Sequence, residues 1–270
     1  MGGSGAFIRS ADVVLARCEL RGGHGGDDGW SCPDFAGGAG LQLDDLARVA
    51  AFDSVLAGGK GGKALSGTSE SGGPGLQADG SFAASAAWGF VSGGTIVGGV
   101  GGTNSGAGGP AVWQLGSFPG LGLLGALLIG GPGAPAAGAP GEATKGLPPA
   151  KLDGVARSLR VDSPLREQEA GVLEVRGVQG EVPFFFASTT GGFAPKLGKG
   201  GVFVAGLPLG PFALPPITDP SGVVNIPFVA PDLVSPNDLA DVWLLQPLFV
   251  GPGGERLGAP TAFVLLDAGL

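Results

Sequence analysis

Short segments in which apolar and polar residues alternate recur at a nearly constant spacing in the first half of the chain. Each segment follows a glycine pair, and these pairs begin at positions 2, 37, 72 and 108, so that the unit repeats every 35 or 36 residues. An alternation with a period of two predicts a short β-strand with one buried face. The aligned segments read Ala6-Phe7-Ile8, Leu41-Gln42-Leu43, Leu76-Gln77-Ala78 and Val112-Trp113-Gln114.

A second alternating segment ends each unit at a further glycine pair. We place these pairs at Gly22, Gly58, Gly93 and Gly130. Counting back from them gives one set of equivalent apolar positions, Leu20, Leu56, Val91 and Leu128, and one set of smaller residues, Cys18, Ser54, Gly89 and Ala126. Each unit is therefore predicted to hold a second strand. We interpret the glycine pairs as places where the chain turns with positive φ or passes close to its neighbour.

Units of this kind predict a parallel β-helix of about four rungs over residues 1–132, because one unit cannot bury its own apolar face whereas stacked units share a core. Residues 133–152 are rich in Pro, Gly and Ala and are predicted to be a linker. Residues 153–270 contain seven short β-rich runs separated by turn signals such as Asp219-Pro220-Ser221-Gly222. This spacing predicts an antiparallel β-sandwich, so that the expected fold class is all-β.

The fourth unit differs from the others because residues 111–131 carry no charge. The segment is long enough to suggest a membrane span. Its interior glycines, Pro119 and its place in the repeat favour a rung of the β-helix, and we expect no transmembrane span. We expect the C-terminal domain to cover this apolar rung.

The glycine box and the strand that follows it, as in Val13-Val14-Leu15-Ala16-Arg17-Cys18, resemble a known class of repeats. They are similar to the glycine-rich right-handed parallel β-helix repeats of large secreted bacterial proteins in the pectate-lyase-like superfamily. The likeness covers about residues 1–132, and the C-terminal domain resembles the β-sandwich appended to similar secreted proteins. The resemblance implies a secreted or cell-surface location. Because the chain begins inside a repeat, we also expect further residues upstream of Met1.

Composition narrows the classes of function. The chain has 57 glycines without a strict every-third-residue pattern, which excludes a collagen triple helix. Its formal net charge is −8, and Lys and Arg are not clustered, so we expect no nucleic-acid partner. With a single histidine, His24, no cluster of histidines can bind a metal within the chain, and the serines lie in no Gly-x-Ser-x-Gly motif that would indicate a catalytic triad.

Acidic residues are the first candidates for chemistry. The resemblance implies calcium bridged by carboxylates, together with a basic residue that removes a proton from a uronic acid. Asp44 and Asp79 occupy the same position in successive units and could bind Ca²⁺ through hard oxygen ligands. Nearby acids are Asp27, Asp28 and Asp45, and the candidate bases are Arg9 and Arg48. The alternative is that these aspartates are solvated turn residues.

Aromatic and sulfur-containing residues are the second set of candidates. Trp113 shares an outward position with Phe7, and Trp88 is predicted on the outer face of the second strand, where flat rings can stack on sugars. A core or interdomain role is the alternative for Trp113, and Gln42 with Gln77 between the rings predicts a hydrogen-bonded ladder. Cys18 and Cys32 could form a disulfide in an extracellular protein, although the small column places Cys18 towards the core.

These observations favour a non-enzymatic structural or adhesive portion of an exported or cell-surface bacterial protein, with polysaccharide or cell-envelope components as partners. Two alternatives stay open. One is a calcium-dependent polysaccharide lyase or glycoside hydrolase on the β-helix, and the other is a carbohydrate-binding module without turnover.

Overall fold

The computed structural model describes residues 2–26, 36–44, 46–63, 70–80, 88–103, 105–116, 120–233 and 238–270. The chain divides into two units, residues 1–153 and residues 154–270. Both units are built from β-strands, which confirms the predicted all-β class.

The first unit is a parallel β-solenoid whose complete rungs contain three strands. The strands of the described residues are, in order, β1 (Ala6–Arg9), β2 (Asp12–Ala16) and β3 (Glu19–Arg21); β4 (Leu41–Asp44), β5 (Arg48–Phe52) and β6 (Val55–Ala57); β7 (Leu76–Gly80), β8 (Trp88–Ser92) and β9 (Thr95–Val97); β10 (Val112–Gly116), β11 (Leu121–Leu124) and β12 (Leu127–Ile129); and β13 (Thr144–Gly146) with β14 (Ala150–Leu152). The first strand of every rung stacks in sheet A, the second in sheet B and the third in sheet C.

The register of sheet A confirms the first sequence alignment. Gln42 pairs with Phe7 on one side and with Gln77 on the other, and Gln77 pairs with Trp113. Residues on either side of this column point to the interior, where Leu41, Leu43 and Leu76 are at most 1% exposed. The pleat of a strand therefore keeps the repeat in register through the first four rungs.

The predicted second strand is in fact two strands that meet at a corner. In the first rung, β2 and β3 are separated by Arg17 and Cys18, and the φ of Arg17 is 54°. The equivalent residues in the next rungs are Asp53, Gly93 and Gly125, with φ of 46°, 66° and 63°. A residue in the left-handed region turns the chain from sheet B towards sheet C, so the alternation of inward and outward side chains is interrupted at this point.

The second alignment was wrong in the third rung. Leu56 pairs with Ile96, and Ile96 pairs with Leu128, so Ile96 rather than Val91 occupies the apolar column. The connection from β7 to β8 comprises residues 81–87 and is longer than the equivalent connections. The residue numbers that follow it in the third rung are therefore shifted relative to their equivalents in the other rungs. The glycine pair equivalent to Gly58 therefore begins at Gly98, whereas Gly93 lies at a corner. In the small column, Gly94 likewise replaces Gly89.

The true glycine pairs form a ladder of backbone hydrogen bonds, which we call the glycine column. In each rung, the segment that leaves sheet C donates to the segment that enters sheet A, and the entering segment of the next rung donates back, over N···O distances of 2.7–2.9 Å. A Cβ built at Gly98 would lie 1.8 Å from the carbonyl oxygen of Gly109, too close for any side chain. These pairs therefore serve close backbone approach. The column runs through Gly3, Gly23, Gly38, Gly59, Gly73, Gly99, Gly109, Gly131 and Gly141.

Residues 133–152, predicted to be a linker, contain part of a fifth rung. β13 continues sheet A with Thr144 beside Val112, and β14 continues sheet B with Ala150 beside Gly122. The Pro-, Gly- and Ala-rich composition hid these three-residue strands, which carry little side-chain pattern of their own. They stack directly on the apolar fourth rung.

The second unit consists mainly of antiparallel sheets. Its elements are β15 (Ser158–Val161), β16 (Leu165–Arg166), β17 (Ala170–Arg176), β18 (Val182–Ser188), β19 (Gly191–Lys196), the 3₁₀ turn η1 (Leu197–Lys199), β20 (Gly201–Ala205), β21 (Leu209–Ala213), β22 (Val223–Val229), β23 (Ala240–Gly251), β24 (Gly254–Leu257) and β25 (Thr261–Leu266). Sheet D has the order β15-β17-β22, sheet E has the order β16-β25-β23-β18-β21 with β24 beside β23, and sheet F is β19-β20.

All seven predicted C-terminal strands are present, as β15, β17, β18, β20, β22, β23 and β25. One apolar cluster joins sheet D, through Leu159 and Val175, to sheet E, through Phe249, Phe263 and Leu265. Two sheets that share a core in this way form a β-sandwich-like arrangement.

Two buried polar groups cross-link the second unit. The Nε–H of Arg157 is shared between the two carboxylate oxygens of Glu181, each at 2.9 Å, and Nη2 of Arg157 also donates to Oε1; both residues are at most 9% exposed. Gln246, at 0% exposure, accepts a hydrogen bond from the backbone of Val204 and donates one to the carbonyl of Val202, each at 2.6 Å. The Gln246 amide thus connects β20 of sheet F to β23 of sheet E.

Candidate functional site

The aspartates that were predicted to bind calcium lie at the ends of β4 and β7. Leu43 and Ala78, which directly precede Asp44 and Asp79, are register partners, so the two aspartates occupy equivalent positions. Asp44 pairs in register with Arg9, and the Nε of Arg9 lies 4.0 Å from its Oδ2. A cation at Asp44 would therefore compete with this guanidinium.

The other predicted acidic ligands, Asp27, Asp28 and Asp45, lie outside the described residues. Within the part of the chain that the structure describes, no group of three or more His, Cys, Asp and Glu side chains could hold a metal ion. The calcium site at Asp44 and Asp79 stays a prediction.

Arg48, the second candidate base, is paired with Asp12 of the preceding rung. Its Nε donates to Oδ1 of Asp12 at 2.5 Å, and its Nη2 donates to Oδ2. This hydrogen bonding raises the pKa of Arg48 above its ordinary value, because it stabilises the charged guanidinium. A base must give up its proton before it can abstract another one, so the pairing makes Arg48 less suited to that task.

Trp88 packs within sheet B. Its ring is nearly parallel to that of Phe90, with centroids 5.8 Å apart and an interplanar angle of 12°. A Cβ built at Gly120 on the next rung would lie 3.1 Å from Cδ1 of Trp88. Phe90, the ring against which Trp88 packs, is 1% exposed, whereas Trp88 itself is half-buried, and sugar stacking on Trp88 stays a prediction.

Trp113 lies in the outward column of sheet A, below Gln77 and above Lys145. The Lys145 Nζ sits 4.8 Å from the centroid of the indole ring, within the range of a cation–π contact. At the other end of the column, Phe7 is 54% exposed. Neither ring touches the other, because Gln42 and Gln77 separate them.

The remaining predicted site residues do not form a constellation within the described chain. Cys18 lies just after the first corner, with its Sγ 3.4 Å from the carbonyl oxygen of Ala16. Its predicted disulfide partner, Cys32, lies outside the described residues, so the pairing stays a prediction. His24 is an exposed loop residue.

The sequence reasoning missed a cavity of about 310 Å³ inside the second unit. It lies between sheets D and E, and each of the described residues that line it is apolar. Trp243 is one of them, and its indole Nε1 is buried with no hydrogen-bond partner among the described residues. The lining comprises Leu173, Phe185, Ala187, Leu209, Phe212, Leu214, Ile226, Phe228, Pro231, Trp243, Leu245 and Phe263.

One side of the cavity is more exposed than the other. Leu209 and Phe212 of β21 are 54% and 45% exposed, whereas Leu173 and Phe263 on the facing walls are 6% and 4% exposed. The mouth therefore lies at β21, which is the last strand of sheet E. The sequence showed an aromatic run at residues 184–186 and a tryptophan at Trp243, of which Phe185 and Trp243 line the cavity, but a strand pattern does not reveal how much space two sheets leave between them.

No protein-family model matches the chain, and no similar curated protein is found. The described residues also include no helix that is long and apolar enough to cross a membrane. The apolar segment 111–131 instead contributes strands β10, β11 and β12 to the solenoid.

Proposed function

We propose that this chain is a non-enzymatic structural and adhesive portion of a larger exported bacterial protein, and that polysaccharide or cell-envelope components are its partners. The glycine column is the observation that carries the proposal. In this column, a glycine of each rung forms backbone hydrogen bonds to the neighbouring rung, so that the stacked rungs stabilise one another. The exported location rests on the resemblance of the repeat to those of secreted bacterial proteins.

The ion pairs on the solenoid support a structural role over a lyase. Arg9 faces Asp44, and Arg48 is held by two hydrogen bonds to Asp12, so both candidate bases have carboxylate partners on neighbouring rungs. These pairs join β1 to β4 and β2 to β5. The same residues that could have formed a catalytic centre are therefore engaged in ion pairs between neighbouring rungs.

The outward column of sheet A favours sugar contact as the adhesive mode. Trp113 presents an indole in this column, with the amide of Gln77 on one side and the ammonium of Lys145 on the other. Flat aromatic rings stack on the apolar faces of sugars, and amide and ammonium groups can hydrogen-bond to hydroxyl or carboxylate groups. An acidic polysaccharide is the partner that fits this combination best.

Retention on immobilised polysaccharide, measured together with product release, tests the proposal. We expect acidic polysaccharides or cell-wall preparations to retain the chain without releasing unsaturated uronate. Trp113→Ala should weaken retention about three- to tenfold, because an aromatic contact contributes on the order of 1 kcal/mol. Trp113→Phe keeps a ring and serves as the matched control.

Two results would contradict the proposal. Release of unsaturated uronate that is lost in Asp44→Ala or Asp79→Ala, and that calcium chelation abolishes, would establish the lyase alternative. Failure of every polysaccharide and envelope preparation to retain the folded chain would remove the adhesive role.

A further inference from the structure

We propose that the free edge of β12 binds an extended segment of a partner protein, which adds to sheet C as a parallel strand and completes the fifth rung. The segment that fits carries an apolar residue in the middle of the strand and two glycines directly after it. This inference concerns the C-terminal end of the solenoid and is independent of the polysaccharide contact proposed for sheet A.

The fifth rung lacks its third strand. Sheets A and B continue onto this rung with β13 and β14, whereas sheet C ends at β12, which pairs only with β9 among the described residues. The chain does not supply the missing strand, because its next strand, β15, pairs with β17 in sheet D. A groove of about 630 Å³, a volume typical of ligand sites, lies at this end of the solenoid, and its lining includes Leu128, Lys151 and Leu152.

The edge at β12 differs from the other edges of the solenoid because it carries no charge. The edge strands β1, β2, β3, β13 and β14 each contain an Arg, Asp, Glu or Lys. Charged residues on an edge strand discourage pairing with another chain, whereas an apolar edge is a template for such pairing. Leu127 and Ile129 of β12 are 57% and 43% exposed. Among these six edge strands, β12 is therefore the one suited to accept a further strand.

The backbone beside β12 holds the hydrogen-bonding groups that a further strand needs. Between the third and fourth rungs, the N–H of Leu127 donates to the carbonyl of Gly94, directly before β9, and the carbonyl of Ile129 accepts from the N–H directly after β9. The equivalent groups on the fourth rung are the carbonyl of Ala126, directly before β12, and the N–H of Gly130, directly after it. Neither group forms a backbone hydrogen bond within the described parts of the chain. A parallel strand would pair with both.

The inward column of sheet C specifies the middle residue of the added strand. Leu20, Leu56, Ile96 and Leu128 are register partners in successive rungs. Leu56 and Ile96, which have a neighbouring rung on both sides, are 0% exposed, whereas Leu128 is only partly buried. An apolar residue in the fifth rung would cover Leu128 and remove apolar surface from water.

The glycine column specifies the residues that follow the added strand. A Cβ built at Gly59, Gly99 or Gly131 would lie 1.9–2.0 Å from the carbonyl oxygen of the equivalent glycine in the preceding rung. The second glycine after the added strand would meet the carbonyl of Gly131 in the same way, which excludes a side chain there. The first glycine of a pair is crowded by the following rung instead, as at Gly130, whose Cβ would lie 1.9 Å from the carbonyl oxygen of Gly141. An isolated segment brings no following rung, so this position tolerates a methyl group.

A peptide from the chain's own repeat tests the proposal. Residues 54–60, Ser-Val-Leu-Ala-Gly-Gly-Lys, contain the third strand of the second rung and its glycine pair. Calorimetric titration of the end-capped peptide into the full chain should show saturable one-to-one binding. Gly59→Ala in the peptide should weaken binding at least about fivefold, as overpacking against backbone implies. Gly58→Ala adds the same methyl group one residue earlier and should leave binding unchanged, whereas Leu56→Asp in the peptide should abolish it.

Variants of the chain test the location of the site. Ala143→Trp fills the groove and should abolish peptide binding, whereas Leu147→Trp, at a residue that is 50% exposed and does not line the groove, should not change it. The proposal would be overturned by equal binding of the Gly58→Ala and Gly59→Ala peptides, or by absence of saturable binding to the folded wild-type chain up to the solubility limit of the peptide. Dimerisation of the chain that Leu127→Lys abolishes would also overturn it, because a second copy would then occupy this edge.

Discussion

The two units of this chain are stabilised by different parts of the polypeptide. In the solenoid, glycine backbones approach each other so closely that a Cβ at Gly98 would lie 1.8 Å from a carbonyl oxygen. In the second unit, side chains perform the cross-linking, through the buried pair Arg157–Glu181 and the amide of Gln246. We therefore expect the removal of side-chain atoms to destabilise the second unit, and the addition of a single methyl group to destabilise the first.

The largest expected effect is in the second unit. Arg157→Met removes the partner of a carboxylate that is 5% exposed, and breaking a buried ion pair in this way costs about 3–5 kcal/mol of unfolding free energy. Urea denaturation of wild type and variant would measure the loss. The double variant Arg157→Met/Glu181→Leu should recover much of it, because no buried charge is left. Equal stability of Arg157→Met and wild type would mean that the buried ion pair does not stabilise the second unit.

A smaller loss is expected when a methyl group is added to the solenoid. Gly98→Ala forces a Cβ against the backbone of Gly109, and overpacking of this kind costs about 1–3 kcal/mol, or more where the backbone cannot move. Gly253→Ala in the second unit is the matched control, since nothing lies within 4 Å of a Cβ built there. Thermal denaturation should show a lower midpoint for Gly98→Ala and no loss for Gly253→Ala. A similar loss in both variants would mean that close backbone packing does not distinguish the units.

The smallest expected effect concerns exposed ion pairs, which should matter little in either unit. A hydrogen bond from Arg176 holds the pKa of the Glu174 carboxyl below its ordinary value, partly offset by burial. Because the folded-state pKa is lowered, the stabilisation is present above the unfolded-state pKa, near 4.3, and is lost as pH falls through the folded-state value. Glu174→Gln should therefore cost about 0–1 kcal/mol at pH 7.

The pH dependence of that difference is the sharper measurement. Urea midpoints for wild type and Glu174→Gln should differ slightly at pH 7 and converge as the pH falls below the folded-state pKa of Glu174, where the carboxyl group is protonated. A difference that grows on acidification would mean that Glu174 is not stabilised as a carboxylate.

Much of the solenoid could be predicted from sequence because register propagates along a repeat. The column that contains Gln42 and Gln77 followed from counting residues after each glycine pair, and the pleat of the strand fixed which of them faced outward. The same counting did not identify Ile96 as the partner of Leu56, because the connection between β7 and β8 is longer in the third rung and shifts the residue numbers of β8 and β9. It also missed β13 and β14, whose pairing depends on the fourth rung beneath them more than on their own residues.

The candidate sites were predictable to different degrees. The equivalence of Asp44 and Asp79 followed from the repeat, but the approach of Arg9 to Asp44 depends on how two rungs stack. The cavity beside Trp243 could not be predicted, because its volume is the space left between two sheets after all their side chains have packed. No local pattern in the sequence indicates the volume of that space.

The sequence by itself determined that the chain is a glycine-punctuated repeat followed by a β-rich domain, and it determined which residues of the first strands face inward. Tertiary structure alone decided what each glycine does. Gly93 lies at a corner with positive φ, whereas Gly98 lies in ordinary backbone against a neighbouring carbonyl. The close contact requires a residue without a side chain, whereas the corner only favours one, since Arg17 and Asp53 occupy it in the first two rungs. Where both positions hold glycine, only the position of the neighbouring rung distinguishes a turn from a contact.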